Sequence, residues 1–281
     1  MKKNIAESVR SRLLNVAKKE GSDFESVLIR FALERFLYRI SQSQYSQNFL
    51  LKGAMLFSLW YDMPHRPTRD MDLLGFGESE LTTIKSTFTD ICSISYDDGV
   101  VFDASTLEVE PIREASGYTG VRVTLKAELA KALSKVQIDI GFGDAVTPGP
   151  VQSSYPVILN DFSAPQLNTY PVYTVIAEKL HAIALLGMAN SRMKDYLDLM
   201  VLFEKEQLDH KLLAEAISAT FKRRGLIIPA TMPIGLTEEF SNDDEKQTQW
   251  RAFLNRNEIT ERPLEDVVKK LSEKFSPLFI K

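Results

Sequence analysis

The sequence predicts an α/β (α+β) protein, with a mixed sheet, flanking helices and a C-terminal helical region. Three observations predict it. Near the N-terminus, apolar residues Phe24, Val27, Leu28, Phe31, Leu33, Phe36, Leu37 and Ile40 recur at helical spacing. Between about 100 and 145 the pattern changes to alternation, clearest in "VRVTLKAEL" and "KVQIDIGFGD". After Tyr170 helical spacing returns over roughly 172–187, 191–204, 208–224 and 263–275.

In chain order, residues 4–41 read as helices, which the polar "SQSQYSQ" ends. "NFLLKG" is a short apolar strand with a glycine turn, and "AMLFSLWYD" is a helix of about two turns. The loop "MPHRPTR" leads into the strand "DMDLLGFG", and a helix follows over 82–95. "LEVEPIRE", the turn "ASGYTG" and the two alternating runs are strands joined by short loops, so the sheet contains antiparallel pairs. The stretch with Pro148, Gly149, Pro150, Pro156 and Pro165 reads as a loop and a boundary. The acidic run 237–249 reads as a solvated loop or helix start.

Composition sets limits. With 281 residues the chain suffices for one large domain or two modest ones, and 44% hydrophobic with 26% charged residues is ordinary for a globular protein. One cysteine, Cys92, excludes an internal disulfide framework and fits a reducing cytoplasm. The opening lysines lack the apolar core of a signal peptide, and no uninterrupted apolar run approaches membrane-spanning length. A net charge of −4 argues against a basic nucleic-acid coat protein but allows one local patch. His65, His181 and His210 lie too far apart for a zinc motif.

Chemistry concentrates in the carboxylates. On a strand, Asp70 and Asp72 share a face while Met71 and Leu73 turn to the core. In "KVQIDIGFGD", Val136, Ile138 and Ile140 share one face and Gln137 and Asp139 the other. If the two strands are neighbours, three carboxylates converge. Such oxygen ligands suit Mg²⁺, which leaves coordination positions for phosphate oxygens. Alone, a D-x-D pair is common, and Asp139 also reads as structural polarity in a sheet.

"FLLKGAMLFSLWYDMPHRPTRDMDLLGFG", then "IDIGFGD", "AEKLHAIALLG" and "RMKDYLDLMVL", resemble in order the motifs of the AbiEii family of nucleotidyltransferase toxins, which includes the MenT toxins. That family belongs to the superfamily related to DNA polymerase β, and the resemblance covers about residues 45–205. It implies a polymerase β-like mixed sheet in a domain 1–165 and a helical domain 166–281 that contributes the motif lysine and aspartate. It also implies Mg²⁺ held by Asp70 and Asp72, with Asp139 as a third ligand. Lys179 corresponds to the lysine that contacts the nucleotide triphosphate, and Asp195 to the fourth motif aspartate, closing with Lys179 over the sheet. Asp198 is a second polar contact or orients the helix. Gly53 and Ala54 correspond to the phosphate-binding turn, where Ala54 replaces the family's glycine or serine and leaves only backbone N–H groups. Thr68 keeps the hydroxyl two residues before Asp70, and Arg66, Arg69 and Lys194 pair with the carboxylates or bind phosphate.

Plainer readings stand beside these. Lys179 lies between Ile176 and Ile183 and could rest its stem on an apolar face. Asp195 and Asp198 could pair with Arg192 and Lys194 on a surface helix, and His181 reads as a packed helix residue rather than a base. Phe57, Trp60 and Tyr61 read as packing, and Lys222, Arg223 and Arg224 as cations at a helix end, where the dipole favours them, with RNA contact as the alternative. The reaction the resemblance implies is Mg²⁺-dependent transfer of a nucleoside monophosphate from an NTP to RNA, such as the tRNA 3′ end. Its role would be that of a cytoplasmic toxin that arrests translation, beside an AbiEi-type antitoxin that needs no stable complex. The alternatives are a small-molecule nucleotidyltransferase of the antibiotic-modifying kind and a non-catalytic nucleotide- or partner-binding module.

Overall fold

The computed structural model describes residues 5–61, 66, 68–113 and 119–279, so parts of the proline-marked loop (62–65 and 67), with His65, and of the turn (114–118) lie outside it. The chain forms two compact units. The first comprises residues up to Gly143 together with Val151–Thr169, the second Asp144–Pro150 together with residues from Tyr170 onward.

The first unit begins with α1 (Ile5–Glu20) and α2 (Phe24–Gln42). Asp23 caps α2 by accepting from the Ser26 N–H at 2.8 Å. Then come β1 (Phe49–Lys52), α3 (Met55–Trp60), β2 (Met71–Gly75) and α4 (Leu81–Ser93). The long strands β3 (Val100–Arg113), β4 (Thr119–Leu129) and β5 (Ala132–Phe142) follow, then the short β6 (Val151–Ser154) and β7 (Gln166–Thr169).

Together they build one seven-stranded mixed sheet in the order β3-β4-β5-β2-β1-β7-β6. Pairing is antiparallel for β3–β4, β4–β5, β1–β2 and β6–β7, and parallel for β2–β5 and β1–β7. The middle of the sheet is covered on both faces: Leu50, Leu51, Met71, Leu73, Leu74, Ile138 and Ile140 are all buried. Each such side chain contributes roughly 1.5–3 kcal/mol of burial. The loop expected over 148–165 contains β6, and β7 follows directly after it. At four largely polar residues each, neither strand is long enough to display a period.

Charge is buried as well. Arg39 of α2 donates to both oxygens of Asp98, at 2.7 and 3.0 Å, and to the carbonyls of Arg35, Ile94 and Val100. It therefore ties the helix to the connection between α4 and β3.

The second unit holds α5 (Val172–Leu186), α6 (Met193–Lys205), α7 (His210–Arg223), α8 (Glu238–Ser241), α9 (Asp244–Arg256) and α10 (Leu264–Phe279). Helix α5 packs on α6 and α7, and α6 on α9 and α10. Tyr196 stacks on Phe240 at 5.2 Å and donates its hydroxyl to the Gly235 carbonyl at 2.9 Å. The run 237–249, read as loop or helix start, is helical over most of its length, and Asp243 caps α9 through the Lys246 N–H. The window Val172–Ala189, with mean hydropathy 1.4, is long and apolar enough to cross a membrane by composition. Within its unit, α5 instead buries Val175, Ile176, Leu180 and Ile183 as a core helix does.

In urea denaturation, Arg39→Met should lose about 3–5 kcal/mol, because Asp98 is left as an uncompensated buried charge. Adding Asp98→Asn, which keeps the acceptor for the Val100 N–H, should restore part of that loss. A double variant no more stable than the single one would contradict this account.

Candidate active site

The glycine turn after β1 is set by a close approach. Gly53 has φ +72°, and a Cβ built on it would overlap the Asp72 carboxylate, so only glycine fits on both counts. Chain direction then reverses into α3, with the Leu56 and Phe57 N–H groups bonding back to the carbonyls of Gly53 and Ala54. Ala54 is buried at the start of α3.

Asp70 lies one residue ahead of β2 rather than on the strand. The Thr68 hydroxyl donates to its carboxylate at 2.8 Å, so the hydroxyl two residues upstream orients it. Arg66 is half-buried, while Arg69 is exposed.

β2 and β5 are neighbours, and their register sets Asp72 beside Asp139. Continued sideways, the register gives a row of charges across the sheet. Lys52 on β1 faces Asp72, Asp72 faces Asp139, Asp139 faces Arg122 on β4, and Arg122 faces Glu110 on β3. Registered residues share a face, so this is one polar stripe over an apolar sheet.

Arg122 grips Asp139 through both oxygens, Nε at 2.8 Å and Nη2 at 2.7 Å. That bond is the main reason the guanidinium's pKa rises, with Asp70 adding to it. A cation that reaches Asp139 must therefore compete with Arg122. Sequence reasoning missed Lys52, Arg122 and Glu110. "VRVTL" showed Arg122 on a polar face, but not which strand it lay beside.

For a divalent cation, Asp70 and Asp72 supply two half-buried sets of hard oxygen donors, which suits Mg²⁺ because it keeps waters and substrate oxygens in its remaining positions. Among the described residues no group of three or more His, Cys, Asp or Glu stands close enough to enclose a metal alone.

In the second unit, Lys179 of α5 donates to Asp195 at 2.8 Å and to Asp198 at 2.7 Å, both on α6 and both fully buried. Arg192 adds a bond to the other Asp195 oxygen at 2.6 Å. Burial pushes the Asp195 carboxyl up, but Lys179 and Arg192 outweigh it and hold it below the usual range. The two aspartates are thus core groups rather than residues of a surface helix. Lys179 is a cation fixed in place rather than one on a loose stem.

Arg224 is likewise occupied, bonding Asp144 at 2.9 Å and Glu178 at 3.1 Å, so this member of the basic cluster is a buried tether. His181 packs edge-on against Phe221, and neither ring nitrogen has a hydrogen-bond partner. Burial, helped by Arg224, lowers its pKa to about 4. Burial pushes the Cys92 thiol up to about 11, so it carries no thiolate at neutral pH.

Residues 35–273 match the family described as nucleotidyl transferase AbiEii toxin, Type IV TA system. The chain belongs to the AbiEii family. Nucleotidyltransferase toxins of type IV toxin–antitoxin systems are its members, which implies an NTP substrate and an antitoxin partner. Two solved structures share the fold. One is JHP933 from Helicobacter pylori, at 14% identity and TM-score 0.51, covering 90% of this chain and 91% of that one. The other, also from H. pylori and solved as a candidate nucleotidyltransferase, has 16% identity and TM-score 0.50, with 88% and 95% covered. Among proteins of curated function, none matches this AbiEii sequence.

Two outcomes follow from the second unit's buried charges. Lys179→Met should destabilise by about 3–5 kcal/mol, since two buried carboxylates lose their shared cation, whereas Lys179→Arg should cost less. Equal stability of Lys179→Met and wild type in urea would refute the network's structural role.

His181 titrates in the unfolded chain near 6.5 but in the native protein near 4, so native stability is full above 6.5 and declines as pH falls toward 4. His181→Phe should flatten that decline, by up to about 1.4 kcal/mol per pH unit. Parallel wild-type and variant curves of urea midpoint against pH would show the histidine is not buried neutral.

Proposed function

We propose that this chain transfers a nucleoside monophosphate from an NTP to an RNA hydroxyl, with the tRNA 3′ end as the acceptor. The observation that carries the reading is the register that puts Asp72 directly beside Asp139, over a turn that only glycine can make. Asp70 and Asp72 would hold Mg²⁺, with Asp139 as a third ligand if Arg122 yields it. Bound there, the cation supplies charge neutralisation on the triphosphate. The Gly53–Ala54 turn offers backbone N–H groups to phosphate, Thr68 orients Asp70, Arg122 adds positive charge beside the carboxylates, and Arg66 would bind phosphate.

Lys179, held by Asp195 and Asp198, would contact the triphosphate with an ammonium that needs no ordering on binding. The acceptor oxygen attacks the α-phosphorus and the bond to the β-phosphate oxygen breaks. Pyrophosphate leaves, and the hydroxyl proton passes to solvent or a site carboxylate. Positioning and charge supply most of the rate. In the cell the consequence would be arrest of translation and growth in the cytoplasm, serving phage defence, with an AbiEi-type antitoxin acting without a stable complex.

A second reading has one observation in its favour. The net charge of −4 suits a cationic small-molecule acceptor better than RNA.

The test is incubation with each α-³²P-labelled NTP, Mg²⁺ and total tRNA, beside Asp72→Ala. Label should appear on tRNA and fall by at least about 100-fold in the variant. Label that persists in Asp72→Ala would remove the strand carboxylates from the mechanism. Nucleotide binding without labelled RNA would move the acceptor to another class.

A further inference from the structure

The first unit contains a cavity of about 360 Å³ whose lining, apart from Ala54, Arg66 and Thr68, has no role above. It lies among α1, α2, α3 and the segment 155–158, and it reaches the carboxylate site through Ala54 and Thr68. One wall is aromatic. Trp60 and Tyr61, expected to be packing residues, are half-exposed here, and Phe57 holds the Trp60 ring edge-on at 5.6 Å. At the rim Arg30 pairs with Glu20 at 2.7 Å.

The lining also includes Glu34, which is 1% exposed. One of its oxygens accepts from the Ile158 N–H at 2.6 Å. The other is ion-paired with Arg35 Nη2 at 2.8 Å and has no further partner. Burial is the main cause that raises this carboxyl to about 7, with Arg35 opposing it. Tyr155, also in the lining, is buried, and its hydroxyl bonds Ser58. A carboxylate oxygen with that one partner keeps a lone pair, and beside aromatic side chains it suits a planar ring that carries N–H groups.

We propose that this cavity is a nucleobase subsite, in which the ring packs against Trp60 and Tyr61 and an amino group donates to Glu34. The inference rests on the nucleotidyl-transfer reading above and names where that reaction holds a base. The volume admits one ring system of this kind, at the small end of ligand cavities. Stacking on aromatic side chains tolerates any base, because every base has a π-face. The carboxylate adds selectivity, favouring adenine, cytosine and guanine, which have amino groups, over uracil, which has none. The base could come from the incoming NTP or from the RNA acceptor.

The probes are the four nucleosides, which carry no phosphate, and the readout is quenching of Trp60 fluorescence. Trp250, the other tryptophan, is buried in the second unit and gives a constant background. Adenosine, cytidine and guanosine should quench at concentrations about tenfold below uridine, and Glu34→Gln should abolish that preference. Ser58→Phe, which fills the cavity, should weaken all four while leaving binding of inorganic triphosphate with Mg²⁺ unchanged. If Ser58→Phe fails to fold by circular dichroism, the isosteric Glu34→Gln decides alone.

Competition by NTP would assign the base to the nucleotide, and competition by a short single-stranded RNA would assign it to the acceptor. No quenching at tens of millimolar nucleoside, or quenching unchanged in the variants, overturns the subsite. Because these measurements need no turnover, they stand apart from the labelled-tRNA assay. Quenching without transfer would leave the subsite and remove the reaction, and transfer without quenching would do the reverse.

Discussion

The Asp72 carboxylate occupies the space where a Cβ on residue 53 would have to be, and the centre of the sheet is arranged around that approach. Residue 53 must be glycine and must take a positive φ, which turns the chain sharply from β1 into α3. That turn keeps β1 short enough for Lys52, its last residue, to stand in register with Asp72. From Asp72 the row continues through Asp139 and Arg122 to Glu110, one strand at a time. Each carboxylate in the row has a cation in register beside it, Lys52 for Asp72 and Arg122 for Asp139 and Glu110, which offsets the cost of placing charge on a half-buried sheet face. On the opposite face lie Met71, Leu73, Ile138 and Ile140, whose burial adds to the backbone ladder that joins the strands.

The two units treat charge differently. On the sheet the carboxylates are half-buried at a site open to ligands, whereas Asp195 and Asp198 are sealed in and matched by Lys179 and Arg192. The first arrangement can exchange partners, as Asp139 must if a cation is to displace Arg122. The second is fixed by packing, which makes Lys179 at once a structural residue and a candidate ligand for phosphate. Loss of activity on its removal therefore says little by itself.

Local patterns were legible and pairings were not. The glycine turn, the D-x-D strand and the alternation of "KVQIDIGFGD" all showed in the sequence, because each is a property of consecutive residues. Their being neighbours had to be supposed, since register joins residues far apart in the chain. For the same reason Arg122 went unseen as the partner of Asp139, although its alternating position was plain. The motif residues Lys179, Asp195 and Asp198 were legible through resemblance, but the complete burial of the two aspartates was not, because an aspartate three residues from another looks the same on a wet or a dry face. Strands β6 and β7 were missed because four largely polar residues carry no period; β7 takes its place from β1, and β6 from β7.

That last pairing bears on how the chain is made. β1 is complete by Lys52, yet its parallel partner β7 begins only at Gln166. The intervening chain includes a short passage, Asp144–Pro150, that belongs to the other unit. On the ribosome, then, an apolar strand waits with one edge unsatisfied while more than a hundred residues emerge, a long-range closure of the kind that slows folding and invites wrong partners. A cell that makes this toxin has an interval in which the nascent chain is still unfinished and open to chaperones or proteases.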